Sequence, residues 1–246
     1  VQGCCDMGMT PGYLPGYAPV ADAAARGRFE KKWGTAVPSA IGLDGTGMLS
    51  VEGGLKAIWL DRHNPVVSAT HCEAATALSG MDFVVSQNLF MTRTAEYAHV
   101  VLPTAAFGEE DVTFTSMERR IQIAARVVES KEQLPSAWEQ VPEVARRMGA
   151  RWNFASSEDV MREASELVPE YGAVTYENLA REYGRQWPCT LDRPLGTRFL
   201  FAYVSEGNTG TDGKAARRFR LRELSPVIPE EPDAGQVPYI LTFGQA

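Results

Sequence analysis

Three short apolar runs, at 55–60, 82–85 and 99–102, are the clearest pattern along the chain, and each gives way to a stretch of helical composition. Each run is too short for a core helix, and together they carry the signature of βαβ units, so they predict strands of a buried parallel sheet joined by helical crossovers. Ser68 is placed to cap a helix that runs through Leu78 and stops at Gly80; Thr92 is placed to cap another through Tyr97. Ahead of these, residues 8–17 alternate Gly and Pro with aromatics, which suits neither a helix nor a central strand and predicts an ordered loop. Residues 20–33 set Val20, Ala24, Phe29 and Trp33 on one rough helical face, with Gly34 behind them as a C-terminal cap.

The pattern changes after residue 112. Strands are expected at 113–115 and 120–128, closed off by Pro135, and helices then take over. Ser136 with Glu139 forms a capping box for a helix reaching Met148, although Pro142 inside it should kink or shorten that helix at about 3 kcal/mol. Further helices are expected at 157–167 and 175–183, capped by Ser156 and Thr175. Strands at 197–204 and 217–222 flank a turn-rich segment, and a Pro-rich linker at 226–238 leads to a last strand at 239–243. The predicted fold class is α/β: a parallel Rossmann-like sheet with flanking helices, then a mixed α+β region. The corresponding domains are 1–112, 113–224 and 225–246.

Charge and composition narrow the chemistry. A net charge of −7 argues against a nucleic-acid partner, and the basic cluster of Arg217, Arg218, Arg220 and Arg222 suits a solvated strand face. No apolar stretch approaches a membrane span and no export signal opens the chain at Val1, so direct membrane insertion is not expected and a cytoplasmic location is. Four cysteines without C-x-x-C spacing and three histidines argue against a zinc or iron–sulfur site built within this chain. The adjacent Glu109, Glu110 and Asp111 are expected to be solvated, and His63 and His71 lack a third metal ligand.

In an open parallel sheet, ligands bind beyond the carboxyl ends of the strands. The residues there are Asn64, Gln87, Asn88 and Thr104, whose amides and hydroxyl suit the edge of a purine or pterin; the same residue types also serve as ordinary turn and cap residues. The loop at 61–65 runs into the helix capped by Ser68, where a phosphate could rest. Neither G-x-G-x-x-G nor a P-loop is present.

Longer motifs then add a resemblance. They are Val1-Gln2-Gly3-Cys4-Cys5-Asp6-Met7-Gly8 with Pro15-Gly16-Tyr17, Phe29-Glu30-Lys31-Lys32-Trp33-Gly34, and Asn64-Pro65. Phe90-Met91-Thr92 and Val100-Val101-Leu102-Pro103 follow, then Thr113-Phe114-Thr115 with Glu118-Arg119-Arg120-Ile121-Gln122. In this order they resemble the large subunit of molybdenum or tungsten formate dehydrogenases, within the bis-molybdopterin guanine dinucleotide oxidoreductases. The resemblance implies a molybdopterin guanine dinucleotide cofactor, with Gln2 beside the pterin and Asn64, Ser68, Gln87, Asn88 and Thr104 lining one guanine dinucleotide arm. It implies that an iron–sulfur cluster and the metal-ligating residue lie upstream, and that a barrel-like C-terminal domain begins near Pro238. Formate would be the substrate of the complete enzyme, with electron-transfer subunits as partners and this piece contributing cofactor binding only. Where the family carries Gly-Glu this chain has Arg62-His63, and where it carries Gln-Asp this chain has Gln87-Asn88, losing a carboxylate suited to guanine N–H groups. Ala137 stands in place of an acidic residue. These departures suit an alternative, a degenerate relative retained as a structural or electron-chain scaffold.

Overall fold

The computed structural model describes residues 2–68, 73–130, 132–181 and 183–198. The strands expected at 217–222 and 239–243, the Pro-rich linker, the basic cluster, the start of a barrel domain, His71 and Cys72 lie outside them. So does the strand expected at 197–204, apart from Thr197 and Arg198, which are not in a strand.

In chain order the elements begin with α1 (Gln2–Asp6), β1 (Tyr13–Leu14), β2 (Ala18–Pro19), α2 (Ala23–Trp33) and α3 (Gly45–Met48). Next come β3 (Ala57–Asp61), α4 (Pro65–Ser68), α5 (Ala74–Ser79), β4 (Phe83–Asn88) and β5 (Val100–Pro103). The last group is β6 (Val112–Thr115), β7 (Arg120–Ala124), α6 (Ala137–Arg147), α7 (Ser157–Leu167), α8 (Tyr176–Ala180) and β8 (Arg185–Gln186).

The three apolar runs form one sheet in the order β3-β4-β5 with both pairs parallel, as their spacing predicts. Only β4 is buried along most of its length; β3 and β5 are edges of a three-stranded sheet and stay partly exposed, so the fully buried sheet expected from the sequence is confined to its centre. Leu60, Leu78, Met81 and Val84 close the core beneath it. The crossover between β3 and β4 differs from expectation at its start. Ser68 ends a short helix and donates its hydroxyl back to the Asn64 carbonyl at 2.9 Å, so it caps no helix N-terminus. Pro65 explains the early start, since proline is preorganised for a first helical turn but supplies no amide to an earlier one. Thr92 does cap locally, its Oγ1 accepting from Ala95 N at 3.2 Å, but the turn it opens is a 3₁₀ segment, Ala95–Tyr97.

A second core draws on both ends of the described chain: Leu14, Val20 and Phe29 from the start pack with Ile121, Val168 and Tyr171. α2 begins at Ala23, three residues later than expected, because the Asp22 carboxylate accepts from Ala24 N and Ala25 N at 2.8 and 3.4 Å. It ends at Gly34, left-handed at φ 65°. Its exposed face meets α7 through Trp33 Nε1 donating to Glu163 Oε1 at 2.9 Å and a Lys32–Glu166 ion pair. The Gly-Pro loop lies against the same core, where Gly16, at φ 74°, leaves a side chain no room: an added Cβ would sit 2.8 Å from Val168 Cγ1.

Strands β6, β7 and β8 form an antiparallel sheet. β7 stops at Ala124 because the following backbone bonds elsewhere: Arg126 N donates to Asp111 Oδ1 at 2.8 Å, and Val127 N and Val128 N both donate to the Gly108 carbonyl. α6 runs through Pro142 to Arg147 rather than shortening there. Pro142 is buried, Glu139 Oε2 accepts from Ser136 N at 2.6 Å, and Glu143 pairs with both Arg146 and Arg147, which together offset the missing amide. α7 and α8 are capped by Ser156 and Thr175 as expected, although α8 ends early, at Ala180.

Candidate functional site

Parallel register sets the carboxyl ends of β3, β4 and β5 along one crest: Asp61 lies beside Gln87, Gln87 beside Leu102, and Asn88 beside Pro103. Asn64, Asn88 and Thr104 leave the strands there. Asn64 Oδ1 accepts from Thr94 Oγ1 at 2.6 Å and Thr94 N at 3.3 Å, which fixes the amide and leaves Nδ2 as its donor. Asn88 is 9% exposed; its Oδ1 accepts from Leu89 N at 2.8 Å, while its Nδ2 bonds to no described residue. Thr104 donates to the Pro135 carbonyl at 3.2 Å, and Gln140 Nε2 donates to the Pro103 carbonyl beside it at 2.8 Å.

Gln87 takes a different part. It is fully buried, Oε1 accepting from Trp59 Nε1 and Nε2 donating to the Ala137 carbonyl, each at 2.9 Å. Its amide ties the sheet to the start of α6 and offers little to a ligand. Ser68 sits on the exposed side of the Asn64 turn.

Charge at the crest is set by Arg62, which stands in the left-handed region at φ 49°, where glycine is favoured. Its guanidinium donates to Glu110 Oε1 at 2.6 Å and to the Ala105 carbonyl at 3.1 Å. Glu110 is 1% exposed, so the expectation of three solvated carboxylates is corrected: Glu110 is a buried ion-pair partner, Glu109 accepts from Ala106 N, and Asp111 accepts from Arg126 N. Partial removal from water pushes the Asp61 carboxyl up; nearby Arg62 opposes the shift and Glu110 adds to it. His63 is exposed, and no cluster of three metal-ligating side chains occurs among the described residues.

Gln2 lies apart from the crest, in a polar cluster at the second core. Asp6, 0% exposed, accepts on Oδ1 from Gln2 Nε2 at 2.9 Å and Arg119 Nη2 at 3.0 Å, and on Oδ2 from the Tyr171 hydroxyl at 3.0 Å. Burial and the nearby Asp6 carboxylate raise the Tyr171 phenol well above its ordinary range, so it stays a donor. Arg119, also left-handed at φ 61°, lies with Cζ 3.4 Å from the centre of the Trp187 ring. Spacing alone gave no sign of this cluster, since Asp6, Arg119 and Tyr171 are far apart in the chain; Asp6 and Arg119 do lie within the motifs that carry the resemblance. Trp59, Thr94 and Gln140 were missed because each acts through a partner on another element.

The arrangement at the crest offers two side-chain amide donors, Asn64 Nδ2 and Asn88 Nδ2, beside the exposed apolar Leu89, Phe90 and Met91. Such a set can pair with the acceptors of a flat heteroaromatic ring and cover its face. The family model described as Molybdopterin oxidoreductase matches residues 21–147. The chain is 39% identical over 182 residues to the putative formate dehydrogenase YrhE of Bacillus subtilis, covering 73% of this chain and 19% of that protein. It is 34% identical over its whole length to the F420-dependent formate dehydrogenase subunit alpha of Methanocaldococcus jannaschii, 36% of which is covered. It is 33% identical over 82% of its length to formate dehydrogenase H of Escherichia coli, 29% of which is covered. The chain thus spans between about a fifth and about a third of these relatives. Among solved structures, acetylene hydratase from Pelobacter acetylenicus matches at TM-score 0.45 and 23% identity over 54% of this chain and 18% of that one. With a family model matching more than half of its residues, the chain belongs to the molybdopterin oxidoreductase family.

Proposed function

We propose that the chain is part of a formate dehydrogenase catalytic subunit and holds one guanine dinucleotide arm of its molybdopterin cofactor at the crest of the parallel sheet. The observation that carries this reading is Asn88: a side chain nine-tenths buried, at the carboxyl end of the central strand, with a donor that no described residue takes up. Asn64 and Asn88 would donate to the guanine ring acceptors, and Thr104, its hydrogen given to Pro135, would serve as an acceptor. Ser68 would border the arm from the exposed turn. Gln87 would hold the crest together from beneath. Because Asn88 has its oxygen engaged and no carboxylate, guanine would be bound through its acceptors rather than its N–H groups. Gln2 would lie beside the pterin.

When bound, the cofactor supplies a molybdenum or tungsten centre at which formate is oxidised to carbon dioxide, releasing two electrons and a proton. The metal-ligating residue and an iron–sulfur cluster belong, in this reading, to other segments of a cytoplasmic polypeptide, residues 225–246 open its C-terminal pterin-binding domain, and partner subunits take the electrons. This chain by itself would not turn over formate.

The test is to purify the polypeptide that contains this chain with its natural flanking sequence, then measure formate-dependent reduction of a viologen dye and metal content together. Dye reduction with stoichiometric molybdenum or tungsten is the expected result. A folded polypeptide with neither would overturn the enzyme reading and leave the scaffold reading in its place.

A further inference from the structure

We infer that Asp6, clamped by Arg119 and Tyr171, is a positioning residue that fixes the Gln2 amide so that it meets a ligand only as a hydrogen-bond acceptor. The inference deepens the proposed function, since it rests on Gln2 lying beside the pterin. Gln2 Nε2 has two hydrogens and both are engaged, one by Asp6 Oδ1 at 2.9 Å and one by the Tyr17 hydroxyl at 3.2 Å. Oε1 bonds to no described residue. A carboxylate offers only acceptors, so the amide nitrogen must face Asp6 and the amide is not free to flip.

The carboxylate is itself held from every side. Arg119 Nη2 and Nε reach its two oxygens at 3.0 and 3.4 Å, and Tyr171 donates to Oδ2 at 3.0 Å. Since Tyr171 gives its only hydrogen to Asp6, the Thr115 hydroxyl 3.3 Å away must donate to the phenol oxygen, which fixes a third element. Arg119 is locked in turn by the Trp187 ring and by its backbone, whose carbonyl accepts from Trp187 N at 3.1 Å. A left-handed backbone at a non-glycine residue persists only where its surroundings over-determine it, and these do. The ligand group that suits the remaining Gln2 oxygen is an N–H donor, such as a ring N–H or exocyclic amine of a pterin. A carbonyl or phosphate oxygen would find no donor there.

The experiment has two readouts. In the full chain labelled with ¹⁵N-glutamine, side-chain amide exchange is measured for Gln2 against the exposed Gln133. We expect Gln2 to exchange about tenfold more slowly, as befits a hydrogen bond to a charged group, and Asp6→Asn to abolish the difference while the Trp187 indole resonance stays in place. Arg119→Lys, which keeps the charge but breaks the forked pairing, should weaken the protection in part and serves if Asp6→Asn does not fold. In the polypeptide with its natural flanks, pterin retained through gel filtration is measured by the fluorescence of its oxidised form; Asp6→Asn should retain about tenfold less. A Gln2 amide that exchanges like Gln133, or stays protected in Asp6→Asn, overturns the clamp. Protection lost with pterin retention unchanged overturns its role toward the ligand. A wild-type polypeptide without pterin overturns the proposed function instead, while the exchange data still decide the clamp.

Discussion

Two buried polar side chains, Gln87 and Asp6, show how differently the two cores of this chain are held. Gln87 is neutral, its two bonds go to a neighbouring strand and to the start of α6, and both partners lie within 50 residues. Asp6 is a carboxylate whose partners Arg119 and Tyr171 stand 113 and 165 residues away. Removing a neutral amide from the crest leaves two groups that were modestly bonded. Removing Asp6 leaves a guanidinium in the interior without its counter-charge, which is far more destabilising. The crest is thus a locally built surface with donors to spare, whereas the Asp6 cluster is a long-range tie on which the second core depends.

The comparison can be broken by mutation. Asp6→Ala should destabilise the chain by about 3–5 kcal/mol in urea unfolding, because Arg119 stays only 15% exposed. A loss under about 1 kcal/mol would place the cluster among ordinary surface pairs. Gln87→Leu should cost about 2 kcal/mol, from the Trp59 indole left without its acceptor and the Ala137 carbonyl without its side-chain donor, and should move the Trp59 fluorescence. If it proves the costlier of the two, the contrast is reversed. Glu139→Ala removes the acceptor for Ser136 N and should cost about 1 kcal/mol, read as earlier thermal melting of α6.

The smallest expected effect concerns Asp61. Its folded pKa is raised, so the protonated form is favoured on folding: the contribution is fully present below the ordinary carboxyl range and is lost as pH rises through the folded value. Asp61→Asn should therefore gain stability over wild type between about pH 4 and pH 7, by no more than about 0.5 kcal/mol, because solvent screens this exposed strand end. Equal stability curves at both ends of that range would contradict the sign.

How much of this was legible follows the same division. The parallel sheet announced itself through three apolar runs, and the residues after each run fall on one crest because register in a parallel sheet aligns strand ends. Local chemistry also carried through: Gly34 ends α2, Glu139 receives Ser136 N, and Ser156 and Thr175 cap their helices. What misled was competition between local rules, as at Ser68, where Pro65 starts a short helix before the hydroxyl can open a longer one. Invisible to any local rule were the pairs Arg62–Glu110 and Asp6–Arg119, since nothing in spacing links residues so far apart. Arg62 is instructive here. It occupies a backbone conformation suited to the glycine that the resemblance expects, and the ion pair to Glu110 and the bond to Ala105 hold it there.

The crest is proposed to hold a guanine nucleotide through Asn88. Guanosine monophosphate released by acid hydrolysis should be quantified from the purified polypeptide containing this chain, in wild type, in Asn88→Leu and in the control Gln133→Leu. Wild type and control are predicted to release it in proportion to their metal, and Asn88→Leu about tenfold less, through the loss of a donor at the ring edge. Unchanged release from Asn88→Leu would contradict the claim and place the nucleotide elsewhere.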